Sequence, residues 1–239
     1  DKISQFVIEC DKASGGAVIG RLSERFQTIF VDEIQDMAGY DLDLLELILR
    51  SSIKLVLVGD HRQATYSTNN AAKNKAYAGA NIIKKFREWE KKGLVNLTYD
   101  TETHRCHQQI ADLGDAFFPG EPRTVSRNLQ VTGHDGVYLV SSTKVSAYVE
   151  QYRPQVLRLN RTTPSRDYPA MNFGASKGLT FDRVLIFPHK SGLKWLSSGN
   201  FKYVQKSAAE LYVGITRARH SVAFVFDGDA KVPGMVRFK

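Results

Sequence analysis

The segment Thr28–Met37, TIFVDEIQDM, sets three consecutive apolar β-formers, Ile29, Phe30 and Val31, directly before Asp32 and Glu33. A short apolar run ending in charge reads as a buried strand whose C-terminal end presents adjacent carboxylates. The pattern recurs in IKLVLVGDHRQATY, where a second apolar run delivers Gly59 and Asp60, with Gln63 just beyond. Strands that are apolar along their whole length belong to parallel sheets, and open α/β sheets bind ligands outside the carboxyl ends of their strands. The chain is thereby constrained to an α/β fold with its chemistry at a sheet edge.

Helical stretches alternate with these runs. DLDLLELILR is a leucine-rich helix that Asp41 can cap after the break at Gly39. GANIIKKFREWEKKG is amphipathic, with Ile82, Ile83, Phe86 and Trp89 on one face and Gly93 as its stop. LVNLTYD reads as a third strand. Further on, Ile110, Leu113 and Phe117 mark a helix, GVYLVS, QVLRL, DRVLIFP and SVAFVFD are strands, and AAELYVGITRAR is a helix. The intervening FPGEPRTVSRNLQVTGHDG is rich in turn formers and reads as irregular. The grammar predicts two lobes meeting at a cleft, residues 1–101 and 102–239, each a mainly parallel sheet with helices on both faces.

Charge supports that division. Residues 1–101 hold 14 acids and 14 bases, whereas residues 102–239 hold 19 bases and 11 acids, so the whole net charge of +8 lies in the second lobe. An excess of that kind suits a polyanion such as nucleic acid, or simply solubility. Cys10 and Cys106 are too few for a disulfide framework, which fits a reducing cytoplasm. No apolar run approaches the roughly 18 residues a membrane-spanning helix needs, and DKISQFVIECDKASGG lacks the basic start and apolar core of a signal peptide.

Asp32 at a strand end can hold the magnesium of a bound nucleotide, while Glu33 can orient or deprotonate an attacking water. Both could instead be first-turn acids favoured by a helix dipole. Gln63, an amide that donates and accepts, suits a sensor of a terminal phosphate. Arg105 in THRC opens a helix, and Arg217 and Arg219 in GITRAR, read as helical, point about 200° apart and serve different partners. One of them can stabilise charge on a transferred phosphoryl group, although surface salt bridging would explain any single arginine. ASKGLTF places Lys177, Gly178 and Thr180 in a turn whose glycine lets backbone approach a phosphate, or in an ordinary turn. A zinc site at His104, Cys106 and His107 has no second ligand pair at the required spacing, and His61, His134, His189 and His220 show no mutual pattern.

In order, these pieces resemble the motifs of the UvrD/Rep family of superfamily 1 DNA helicases. VDEIQD resembles that family's DExQD Walker B motif, VGDHRQATY its VGDxxQxIY, THRC its NYRS, SKGLTFDRVLI its AKGLEFxxVxx, and LYVGITRAR its AYVxxTRA. The resemblance implies an ATP-driven motor with RecA-like lobes that moves on single-stranded DNA and separates duplex junctions, with ATP and Mg2+ as cofactors. It implies that Asp32 binds magnesium, that Glu33 is the catalytic base, and that Gln63, Arg105 and Arg217 contact the γ-phosphate. His104, Lys177, Gly178 and Thr180 would line the nucleotide, and Tyr66 with Arg62 the single-stranded DNA.

The chain departs from the family pattern at several points. His104 stands for the tyrosine of NYRS, Gly174 and Thr180 replace a histidine and a glutamate of the fifth motif, and no Trp-Arg-Gly follows the third. No G-x-x-x-x-G-K-[ST] occurs in the 239 residues, and only about 30 residues precede the Walker B strand. The reading therefore expects an incomplete first lobe, in a C-terminal part whose Walker A portion is supplied in cis or by a partner chain, and a complete second lobe. Alone, such a chain is expected to lack appreciable ATPase activity. The competing classes are a non-hydrolysing nucleic-acid- or protein-binding module and one half of a split helicase.

Overall fold

The computed structural model describes residues 2–69 and 71–239. The chain divides into two compact units, Asp1–Thr98 and Tyr99–Lys239.

The first unit opens with two helices that the sequence reading did not anticipate, α1 (Ile3–Ala13) and α2 (Ala17–Arg25). Gly15 and Gly16, at φ of 65° and 92°, turn the chain between them. The buried Asp11 carboxylate accepts the Ile19 N–H at 2.8 Å, so an acid from α1 satisfies a first-turn donor of α2. Next come β1 (Thr28–Val31), α3 (Tyr40–Leu49), β2 (Lys54–Leu57) and α4 (Ile82–Lys91). β1 and β2 are parallel and in register from Thr28↔Lys54 to Val31↔Leu57. Ile29, Val31, Leu55 and Leu57 face the helices, where α3 divides its leucines between two apolar clusters. Phe30 on the opposite face is 75% exposed, so β1 is buried on one face rather than two.

Three further readings change in this unit. Asp41 lies inside the first turn of α3 and does not cap it; its carboxylate accepts from the Ser4 and Thr68 hydroxyls instead. Residues 94–100 form no strand: Leu94 and Val95 pack beneath α4, and the Leu97 N–H donates to Glu90. The apolar character of that stretch is spent on helix packing, not on a ladder. α4 is tied to α3 by Glu46, which accepts from Trp89 Nε1 at 2.9 Å and pairs with the buried Lys85 at 3.0 Å and with Arg50 at 2.8 Å.

The second unit carries β3 (Glu102–Thr103), α5 (Gln108–Asp115), β4 (Val125–Ser126), β5 (Gly136–Val140), α6 (Val145–Tyr152), β6 (Gln155–Arg158), β7 (Met171–Asn172), β8 (Phe181–Phe187), α7 (Lys190–Ser198), α8 (Ala208–Thr216), β9 (Ala218–Val225) and β10 (Met235–Arg237). Six of these strands form one sheet, in the order β10-β5-β9-β8-β6-β7, with every pairing parallel. β3 and β4 make a separate short parallel pair. Alternate residues of the long strands feed two cores. Val137, Leu157, Ile186 and Phe224 pack with α5, α7 and α8, while Val140, Val156, Leu185 and Val225 pack with Tyr148 of α6. The α/β reading thus holds, with helices on both faces of this larger sheet. No helix among the described residues is long and apolar enough to cross a membrane.

Each unit contains one tryptophan, which allows their unfolding to be followed separately. Trp195 is fully buried among Phe117, Phe201 and Phe224, and its indole N–H has no hydrogen-bond partner among the described residues. Trp195→Ala should destabilise the second unit by about 3–5 kcal/mol in denaturant melts. Trp195→Phe should cost much less, because it also removes an unsatisfied donor. In the first unit, burial pushes the Glu46 carboxyl up, but Arg50, Trp89 and Lys85 outweigh it and bring its pKa down to about 2 from 4.5. The depressed group stabilises the fold above pH 4.5 and loses that contribution as pH falls toward 2. Acid titration of Trp89 fluorescence should show that loss in the wild type and a flatter profile in Glu46→Gln.

Candidate functional site

In the first unit the parallel ladder continues past both strands. Val58 N–H donates to the Val31 carbonyl at 2.9 Å and Ile34 N–H to the Val58 carbonyl at 3.1 Å. Asp32-Glu33 and Gly59-Asp60 therefore leave the sheet side by side, as the two apolar runs predict. The Asp32 carboxylate is exposed, and its Oδ1 accepts the Glu33 N–H at 2.8 Å. Glu33 has φ 52° and ψ 38°, left-handed backbone that a glutamate rarely adopts. Ile34–Asp36 then form a 3-10 turn, so the acids precede a tight turn and not an α-helix.

Gln35 organises this edge, a role the sequence reading left unassigned. It is 2% exposed. Its amide nitrogen donates to the Glu33 carboxylate, and its amide oxygen accepts the Asp60 N–H at 3.1 Å. One buried side chain thus holds the glutamate of the first strand end against the backbone of the second. Gly59 is required for this approach: a Cβ there would stand 2.2 Å from the Gln35 amide oxygen and 2.7 Å from Ile34.

Asp60 is the second organiser. Its Oδ1 accepts from Arg62 Nε at 2.9 Å, and its Oδ2 from Gln63 Nε2 at 3.1 Å. Burial pushes the Asp60 carboxyl up, yet the Arg62 charge and the hydrogen bonds from Arg62 and Gln63 hold it below the usual carboxylate range. Arg62, read from sequence as a nucleic-acid contact, lies on this carboxylate with its side chain 16% exposed. Tyr66 is 68% exposed. The chain beyond it is tied back by the Thr68 N–H to the Asp36 carbonyl at 2.9 Å and by Asn74 to the Gly39 carbonyl at 2.8 Å.

In the second unit the other predicted residues gather where the long strands begin. The Phe181 N–H donates to the Arg217 carbonyl at 2.9 Å, which joins the Lys177–Thr180 segment to the end of α8. Gly178 has φ 79° and opens onto space, so the turn needs glycine for its backbone and has room beside it. Arg217 is not inside a helix as expected. It follows the last residue of α8, is 1% exposed, and donates to the carbonyls of Val213 at 3.2 Å and Leu179 at 3.3 Å. Arg219 stands on β9 and faces out, 3.6 Å from Asp182. The two arginines do serve different partners, but because a helix ends and a strand begins between them.

THRC docks on the same edge. The His107 N–H donates to the Arg219 carbonyl at 3.0 Å, and Asn128 bridges the carbonyls of Arg105 and Arg219 at 2.8 and 3.2 Å. Helix α5 begins only at Gln108, so Arg105 sits in the bend before it, half-buried, with His104 exposed. Cys106 is buried, which pushes its thiol pKa up. The histidines also acquire a pattern invisible in sequence: donor atoms of His107, Asp135 and His220 lie within 4.8 Å of one another.

Gln35→Leu should cost the first unit about 1–3 kcal/mol, because it withdraws a buried hydrogen-bonding amide from Glu33 and Asp60. Chemical denaturation followed at Trp89 measures the loss, and an unchanged midpoint would show that the amide holds nothing.

Comparison with known proteins gives a family and partial relatives. A profile of the viral superfamily 1 RNA helicase core domain matches residues 16–226. The RecBCD enzyme subunit RecB of Borreliella burgdorferi is 25% identical over 109 residues, which cover 42% of this chain and 9% of RecB. The PRRSV helicase structure is 20% identical and superposes over 82% of this chain and 34% of its own, with a TM-score of 0.49. An arterivirus nonstructural protein 10 helicase, solved with DNA, is 16% identical over 87% of this chain and 41% of its own, with a TM-score of 0.48. The chain therefore spans a small part of RecB and well under half of these helicases.

Proposed function

The chain belongs to the viral superfamily 1 RNA helicase core-domain family, and from that premise we propose that it is part of an ATP-dependent helicase that translocates on single-stranded nucleic acid and separates duplexes. The observation that carries this reading is the edge where Gln35 joins Glu33 to the Asp60 backbone, beside Asp32 and Gln63. Residues 1–101 then belong to the first RecA-like motor domain and residues 102–239 to the second. The motif spellings favour the UvrD/Rep branch and a DNA track. The phosphate loop would come from sequence beyond these 239 residues, in cis or on a partner chain.

Each residue has work suited to its surroundings. Asp32 fits magnesium: it is an exposed, hard oxygen donor, and its Oδ1 is oriented by the Glu33 N–H. Magnesium, when bound, supplies positive charge to phosphate oxygens. Glu33, aimed by Gln35, accepts a proton from the attacking water. Gln63, oriented by Asp60, presents an amide to a terminal phosphate. Arg105 supplies cationic charge for the transferred group; Arg217, buried against the Val213 and Leu179 carbonyls, joins it only by exchanging those bonds; and His104, Lys177, Gly178 and Thr180 line the nucleotide. Tyr66 offers an exposed ring on which a base can stack whatever its sequence, while Arg62, held on Asp60, would have to leave that carboxylate to meet the strand.

RNA as the track is the second reading, favoured by the description of the matching family. Fluorescence anisotropy with labelled single-stranded DNA and RNA of one sequence tests both. The chain should bind, weaken as salt rises, and lose about 1–3 kcal/mol of affinity in Tyr66→Ala; failure to bind either strand overturns the proposal. Once the phosphate loop is supplied, Glu33→Gln should slow ATP hydrolysis by about 10²–10⁴-fold with nucleotide binding retained. Undiminished turnover would remove Glu33 from the chemistry and favour a non-hydrolysing module. The chain alone should show no appreciable ATPase activity.

A further inference from the structure

His107, Asp135 and His220 lie far apart in sequence and arrive together from three elements. His107 is the residue before α5, Asp135 immediately precedes β5, and His220 is on β9. The parallel pairing Gly136↔Ser221 sets Asp135 level with His220. The His107 N–H, bonded to the Arg219 carbonyl, brings the third donor to the same place. His107 Nε2 is 3.7 Å and His220 Nδ1 3.8 Å from Asp135 Oδ1.

These separations are too long for hydrogen bonds, so neither imidazole donates to the carboxylate. They are close to what a shared ion requires. Zinc bonds of about 2.0–2.1 Å in tetrahedral geometry set donors roughly 3.3–3.5 Å apart; the two imidazole–carboxylate separations are a few tenths of an ångström longer, and all three donor atoms lie within 4.8 Å of one another. His220 is 6% exposed, and its Nδ1, turned toward Asp135, has no hydrogen-bond partner among the described residues. Asp135 is oriented as ligating carboxylates are: Oδ1 accepts from the Thr132 hydroxyl at 2.6 Å, and Oδ2 from the N–H groups of Thr132 at 2.7 Å and Gly133 at 3.1 Å. The Gln130 carbonyl accepts from His107 Nε2. His220 also borders a recess of about 720 Å³ shared with Thr132, Arg153 and Arg183.

We propose that His107, Asp135 and His220 form a zinc-binding site that fastens the start of α5 and the strands β5 and β9 to one another. The donor set, two imidazoles and one carboxylate, suits a borderline divalent ion and not magnesium or calcium. The metal-free protein holds His107 as the Nε2–H tautomer, donating to Gln130. Binding sends that proton to solvent while Nδ1 takes one up, so the ring stays neutral, gives up its bond to Gln130 and offers the Nε2 lone pair to the ion. The site is independent of the nucleotide reading, since no residue assigned there is a ligand.

The test is calorimetric titration of zinc chloride into the chelator-stripped full chain, with melting temperatures recorded alongside. One equivalent should bind, and zinc at 100-fold above Kd should raise the Tm of the second unit by about 5–20 °C. His220→Gln and Asp135→Asn should each weaken binding at least about tenfold, since losing even an outer-shell partner has that effect. His61→Gln, in the first unit and outside the donor set, should bind as the wild type does. Absence of binding overturns the proposal, and so does affinity unchanged in both ligand variants. Should Asp135→Asn fail to fold, cobalt substitution of the wild type decides: a tetrahedral ligand-field spectrum supports the site, and the spectrum of hydrated cobalt overturns it.

Discussion

Parallel pairing is the constraint from which the rest of this molecule follows. Every strand pair in both units runs parallel, so each connection must cross the sheet before the next strand can start. All strand beginnings then collect at one edge and all strand ends at the other. The first unit uses its strand ends, where two apolar runs release Asp32-Glu33 and Gly59-Asp60 together. The second uses its strand beginnings, where the approaches to β5, β8 and β9 bring Asp135, Thr180 and Arg217 to one margin.

The same constraint explains what could be read from sequence. Parallel strands buried on both faces are unbroken apolar runs, so β5, β6, β8 and β9 are plain in GVYLV, QVLR, FDRVLIF and ARHSVAFV. β1 and β2 are equally plain, as are the helices after them. The run LVNLTYD misleads because apolar content does not distinguish a strand from chain packed under a helix. α2 escaped notice because its start is set by a carboxylate eight residues earlier, Asp11 accepting the Ile19 N–H, and α1 because no side chain caps its start.

The candidate site was legible in its membership and opaque in its wiring. Strand-end carboxylates are a local pattern, whereas the amide of Gln35 reaching the Asp60 N–H spans 25 residues and exists only once β1 and β2 are in register. Arg62 read as a nucleic-acid contact and Gln63 as a phosphate sensor, and in the structure Asp60 accepts hydrogen bonds from both. Arg217 read as one of two helical arginines, yet the helix stops and backbone carbonyls hold its guanidinium. The cluster of His107, Asp135 and His220 is harder still, because 28 and 85 residues separate its members and only the β5–β9 register aligns two of them.

Glu33 carries a consequence of its own. Its left-handed backbone is held open by Gln35 on one side and the Asp32 cap on the other. Left-handed geometry costs a side-chain-bearing residue roughly 1–2 kcal/mol, a strain that glycine escapes. Glycine at position 33 would shed that strain and at the same time leave the buried Gln35 amide without its acceptor, which costs about 1–3 kcal/mol. Relief and loss are of similar size, so selection for heat resistance alone would not decide which residue stands at position 33.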